Sequence, residues 1–160
     1  MKRFFCALAV LSLALACQPE NRETRRAPQT VEEFTQAIIR EVQQVIRDTD
    51  AQLVGRPAQV QRLPAAEAAP SYRLELWTEN ERAVKLAATP EGGAAATAYY
   101  FANDELFFVA QPAGKAIFIG GELKYWLGPD WQPLPDEEAA RQGREAALLR
   151  QAQAYLAAFE

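Results

Sequence analysis

The chain has 160 residues, 49% of them hydrophobic, a formal net charge of −4, two cysteines and no histidine. That length suits one domain with a core of its own, and the acidic balance argues against nucleic acid, whose phosphates are bound by basic patches. The missing histidine excludes a His general base, Ser-His-Asp and Cys-His arrangements and the usual zinc sites.

The first segment is Met1 to Cys17. Lys2 and Arg3 make a charged start, Phe4 to Leu15 an apolar core, and Ala14-Leu15-Ala16-Cys17 closes it with a small residue before cysteine. A transmembrane anchor would need about 20 apolar residues. This run is shorter and is followed at once by Gln18-Pro19-Glu20. The segment resembles the lipobox of bacterial lipoproteins, although Ala14 stands where leucine is commonest. The resemblance implies cleavage before Cys17, attachment of a diacylglyceryl group with palmitate-type acyl chains to its thiol, and residence in the cell envelope. Two or more acyl chains make such anchoring stable. Gln18, rather than aspartate, after the cysteine implies the outer membrane, on its periplasmic side in a Gram-negative cell.

Cleavage would divide the chain into a signal peptide (1–16), a lipidated cysteine with its tether (17–29) and a single domain (30–160). The mature part would carry 15 basic and 21 acidic residues, a net −6. Cys6 would leave with the signal and Cys17 would be lipidated, so neither a disulfide nor a thiol nucleophile is expected in the domain. The tether QPENRETRRAPQ is polar and Pro-punctuated. Its Arg22, Arg25 and Arg26 can meet anionic headgroups or serve as a solvated spacer.

Thr30 and Glu33 have capping-box spacing. Val31, Phe34, Ile38, Val42 and Val45 then recur at helical intervals, predicting an amphipathic helix to about Asp50. The period changes to two over Tyr72–Thr78, Ala83–Ala88, Thr97–Phe101, Leu106–Ala110, Ala116–Ile119 and Leu123–Leu127, with short turns between. Such turns impose antiparallel neighbours, hence a meander of five or six strands. Val60–Leu63 is a weaker strand, and Pro57, Pro64 and Pro70 make an edge or a loop equally fitting. A final helix begins near Asp136, with Glu137 and Glu138 suited to its N-terminus. It carries Leu149, Ala152, Leu156 and Phe159 on one face, flanked by Leu148 and Tyr155, and holds Gly143 inside it. The expected architecture is α+β, both helices on one face of the sheet.

Phe101–Val109 aligns without gaps to Phe118–Trp126, giving two aromatic hairpins with Asn103-Asp104 and Gly120-Gly121 at matching turns. These hairpins resemble those of small uncharacterised envelope lipoproteins, a likeness over about thirty residues that implies no activity.

For chemistry, Ser71 is the only serine after Cys17, and no phosphate loop or EF-hand loop is found. Asp104 or Glu105 with Glu122 could divide acid and base roles, but turn positions explain them as solvated acids. Asp136 to Glu138 could hold a cation, but a helix start accounts for them. No cofactor, metal or catalytic residue is implied. In the simple alternation, Leu106 and Phe108 with Leu123, Tyr125 and Leu127 face inward, leaving Phe107, Val109 and Trp126 opposite, joined by Trp77 and Tyr100. These five form the candidate binding face, for an envelope protein, a glycan or a lipid. The competing expectation is a structural protein in which helices, or the Gly128–Pro135 loop with Trp131, cover that face.

Overall fold

The computed structural model describes residues 30–65, 70–93, 95–135 and 137–160. The signal-like segment, Cys17, the tether and Asp136 lie outside them. Helix α1 spans Val31–Leu53 and starts as the capping box requires. The Glu33 amide donates to Thr30 Oγ1 (3.1 Å) and the Thr30 amide to Glu33 Oε2 (3.3 Å).

Seven strands follow: β1 (Gln59–Leu63), β2 (Tyr72–Glu79), β3 (Arg82–Pro90), β4 (Thr97–Ala102), β5 (Glu105–Gln111), β6 (Gly114–Ile119) and β7 (Glu122–Leu127). They form one antiparallel sheet in strict chain order. The strand beyond the expected six is the Pro-flanked Val60–Leu63 segment, which does sit at the edge. Helix α2 (Glu138–Leu156) and a terminal 3-10 turn (Ala157–Phe159) complete the α+β fold.

Three hairpins repeat one design. The turns Asn80-Glu81, Asn103-Asp104 and Gly120-Gly121 have positive φ at both positions (50° and 66°, 52° and 67°, 60° and 79°). Two such residues match the right-handed twist of the flanking strands, as in type I′ turns. Four residues after each turn begins, one residue is skipped by the pairing: Val84, Phe107 and Lys124. Each is a β-bulge. The repeat seen in two hairpins therefore has a third copy, Thr78–Leu86, disguised by Thr78 and Ala83 where the others carry Phe and Leu.

The bulges also overturn the simple alternation. Side chains switch face at every residue of a regular strand, so one extra residue reverses the phase of everything beyond it. Leu106 lies on one face with Val109, while Phe107 and Phe108 lie on the other. Leu123 and Trp126 share the first face, Tyr125 and Leu127 the second. Both faces are consequently apolar and each requires a cover.

The two helices supply those covers from opposite sides, which corrects the expectation of both on one face. Leu148, Ala152 and Tyr155 of α2 pack on Leu74, Leu76, Leu86, Tyr99, Phe101, Val109, Phe118 and Leu123. Ile39 of α1, with Ile38, Val42 and Ile46, packs on Tyr100, Phe108, Ile117 and Leu127. The α2 contact line runs through Ala152 and the expected flanking residues Leu148 and Tyr155, with Leu149, Leu156 and Phe159 half-buried beside it. The α1 contact line is turned by one position, through Ile39, so that Val31 and Phe34 remain 83% and 53% exposed.

Candidate binding surface

The five residues of the expected binding face do not form one surface. Val109 and Trp126 lie under α2, Val109 fully buried and Trp126 half-buried with the Arg144 guanidinium 4.3 Å from its ring centre. Tyr100 and Phe107 lie on the α1 side, Tyr100 buried and Phe107 half-buried, their rings 6.3 Å apart. Trp77 is half-buried, and its indole N–H donates to the Arg56 carbonyl at 3.2 Å. The single aromatic face is thus corrected to two covered faces, and the bulges are the physical reason.

Besides its apolar packing, α1 is tied to the sheet by a polar lock at its C-terminal end. Asp50 accepts from Lys85 Nζ at 2.7 Å and from the Tyr100 hydroxyl at 3.0 and 3.1 Å. The Lys85 ammonium also sits 5.0 Å from the Tyr100 ring centre and 5.7 Å from that of Trp77, close enough for cation–π attraction. Burial pulls Lys85 down, but its bonds to Asp50 and Tyr100 outweigh that and hold it above the usual lysine value. Burial likewise pushes the Tyr100 phenol up, partly offset by Lys85.

The rest of this face is closed by the loop after β7. Trp131 stacks on Phe108 with centroids 5.3 Å apart and planes within 3°. It does so from a backbone φ of +67°, a costly conformation for a bulky residue. Lys115 reinforces the loop, donating to the Pro129 carbonyl at 2.5 Å and standing 5.1 Å from the Trp131 ring centre.

One apolar opening survives beside the lock. Val45, Thr49 and Leu53 of α1 face Val84 and Phe107 across a groove of about 160 Å³, which Phe101 and Ala102 also border, with the Arg56–Glu79 ion pair (3.6 Å) at its rim. Val84 and Phe107 are bulge residues of adjacent hairpins, so the repeat itself shapes the floor. Ligand pockets commonly run from about 300 Å³ upward. This groove is smaller, with room for one apolar side chain or a few methylenes. Phe107 was singled out in the sequence, but on a face shared with Val109 and Trp126 rather than beside α1. Val84 was not, and the third hairpin copy is the signal that would have revealed it.

A second cleft, of about 260 Å³, lies between β7 and the start of α2. Its acids are engaged: Glu122 pairs with Lys124, Glu138 with Arg141, and Glu145 Oε2 accepts from the Leu123 amide at 2.7 Å. The hydrogen bond from Lys124 holds the Glu122 carboxyl below the usual range. Asp104, its suggested catalytic partner, is paired with Arg82 at 3.4 Å. Among the described residues no group of three or more His, Cys, Asp or Glu is placed to hold a metal ion, and no helix is long and apolar enough to cross a membrane. No protein family, curated protein or solved structure matches the chain.

Proposed function

We propose that this protein is a lipid-anchored, non-catalytic accessory module of the bacterial envelope, held at the membrane by acylated Cys17 and engaging a protein partner through the groove between α1 and the bulged hairpins. The anchor rests on the lipobox resemblance of Met1–Cys17. The groove is the observation that carries the binding role. Both sheet faces are covered, and at this opening the exposed Val45 stands with the half-buried Val84 and Phe107 among the apolar residues that line it. Its volume favours a single side chain from a protein over a glycan or a whole lipid. The net acidic charge of the mature chain disfavours nucleic acid as the partner.

Two measurements test this. Cys17→Ala abolishes palmitate labelling and releases the protein from the membrane fraction; normal membrane retention of that variant refutes the anchor. A photo-crosslinker at Val45 in living cells yields a reproducible protein adduct, whereas one at Trp126 yields only contacts to α2 within the same chain. Absence of any intermolecular adduct at Val45 removes the binding role and leaves a structural envelope protein.

A further inference from the structure

The two edges of the sheet are treated differently. At β7 the outward backbone is occupied: the Leu134 amide donates to the Trp126 carbonyl at 2.9 Å, Leu127 bridges to Pro133, and Glu145 takes the Leu123 amide. At β1 no described residue pairs with the outer side of Gln59–Leu63. An open edge is a template for another strand, and natural sheets blunt it with lysine, proline or a bulge. Inside β1, Gln-Val-Gln-Arg-Leu, there is no lysine, proline or bulge, and it pairs with β2 without a register shift; its one charged side chain, Arg62, is paired with Glu91 of the same chain at 3.5 Å. Val60 is 50% exposed there.

We propose that β1 is a self-association edge, pairing antiparallel with β1 of a second copy about a two-fold axis at Gln61 to give one continuous sheet. In that register the strand is complementary to itself. Gln61 meets its own counterpart, Gln59 meets Leu63, and Val60 meets Arg62, whose aliphatic stem covers it. No like charges stand opposite each other. Shifting the axis to Arg62 sets two arginines face to face, which is destabilising. Pro57 and Pro64 bound the contact, since proline cannot donate to a ladder. Five residue pairs make a small interface of the weak, concentration-dependent class. An isologous contact of this kind closes at the dimer and leaves only the blocked β7 edges at the ends of the joined sheet.

The test uses the full chain with Cys6→Ser and Cys17→Ser, purified in mild detergent, so that an introduced cysteine is the only thiol. Opposed residues of an antiparallel pair have Cα atoms about 4.5–5.5 Å apart, within disulfide range. Under copper phenanthroline, Gln61→Cys is expected to cross-link to a dimer, while Val60→Cys and Arg62→Cys cross-link with each other when mixed but not alone. Val54→Cys, at a position 81% exposed and outside β1, reports random collision. In sedimentation at high concentration, Gln61→Lys and Gln61→Glu are each monomeric, and their equimolar mixture recovers the dimer of the parent chain. Circular dichroism of each variant confirms that the sheet is intact. A parent chain that stays monomeric, or Gln61→Cys that links no faster than Val54→Cys, overturns the proposal.

Discussion

Tyr99 presents a test of opposing sign to intuition. It lies at the centre of β4 and is fully buried against Tyr155, whose ring meets it edge-on at 5.8 Å and 83°. Its hydroxyl is buried and has no hydrogen-bond partner, and burial drives its pKa well above the ordinary tyrosine value. In the unfolded chain that hydroxyl is hydrated, so folding strips water from it without replacement, at a cost of about 1–3 kcal/mol on the protein mutational scale. Tyr99→Phe removes the group and leaves a void of about 10 Å³, which at roughly 24 cal/mol per Å³ costs only about 0.2 kcal/mol. The variant is therefore expected to be more stable by about 1–2 kcal/mol, a rise in Tm of about 3–8 °C for a domain of this size. Tyr100→Phe, one residue away, provides the control. It breaks the bonds to Asp50 and is expected to destabilise by about 1–2 kcal/mol, since a bond to a charged group is among the stronger ones and this one is partly solvated. Urea unfolding followed by tryptophan fluorescence reads both. A loss of more than about 0.5 kcal/mol for Tyr99→Phe would show that the hydroxyl is hydrogen-bonded in solution and refute the reasoning.

The raised pKa values of Lys85, Tyr99, Tyr100 and Tyr155, the last pushed by burial to about 12, all act in one direction. Each group binds its proton more tightly folded than unfolded, so its contribution is complete below the unfolded value and is lost as pH rises through the folded one. Stability is expected to be flat up to about pH 9.5 and to fall steeply above about pH 10; unfolding midpoints that do not change between pH 9 and about pH 12 contradict this. Trp131→Ala loses the stack on Phe108 and is expected to cost about 1–2 kcal/mol, aromatic pairing and buried area both being forfeited. Trp131→Gly should cost less than Trp131→Ala, because glycine accepts the positive φ, and chemical denaturation that ranks Ala above Gly is evidence against strain at this position. Gly114→Ala is expected to destabilise by about 2 kcal/mol or more, because the added Cβ would lie 2.6 Å from the Leu127 carbonyl oxygen and 3.0 Å from the Trp126 ring. An unchanged urea midpoint for that variant would mean that β6 and β7 part easily.

The strand positions were legible because each hairpin announces itself with residues tolerant of positive φ, Asn103-Asp104 and Gly120-Gly121 above all. The weak segment Val60–Leu63 was harder, since the prolines that mark it as an edge also mark loops. The bulges were not legible. Leu106 and Phe108 stand two apart and read as one face, and nothing in their chemistry reveals that Phe107 drops out of the ladder. From that one missed residue per hairpin came the single binding face and the placement of both helices together. The helix stripes show the same limit: Ile38 and Ile39 are adjacent and equally apolar, and only the sheet beneath decided that Ile39 makes the deeper contact.

The strict chain order of the sheet bears on how the protein folds. Every strand pairs only with its neighbour in sequence, so β-structure here carries few of the distant contacts that slow sandwich and barrel domains. Long-range closure falls to three sets of contacts: α1 with Lys85 and Tyr100, the Trp131 loop with Phe108, and α2 with the opposite face. A chain that becomes available from its N-terminus onward can zip its hairpins as they appear, before the C-terminal helix exists. Substitutions in α2 should then accelerate unfolding with little effect on the folding rate, while those in the hairpins slow folding itself.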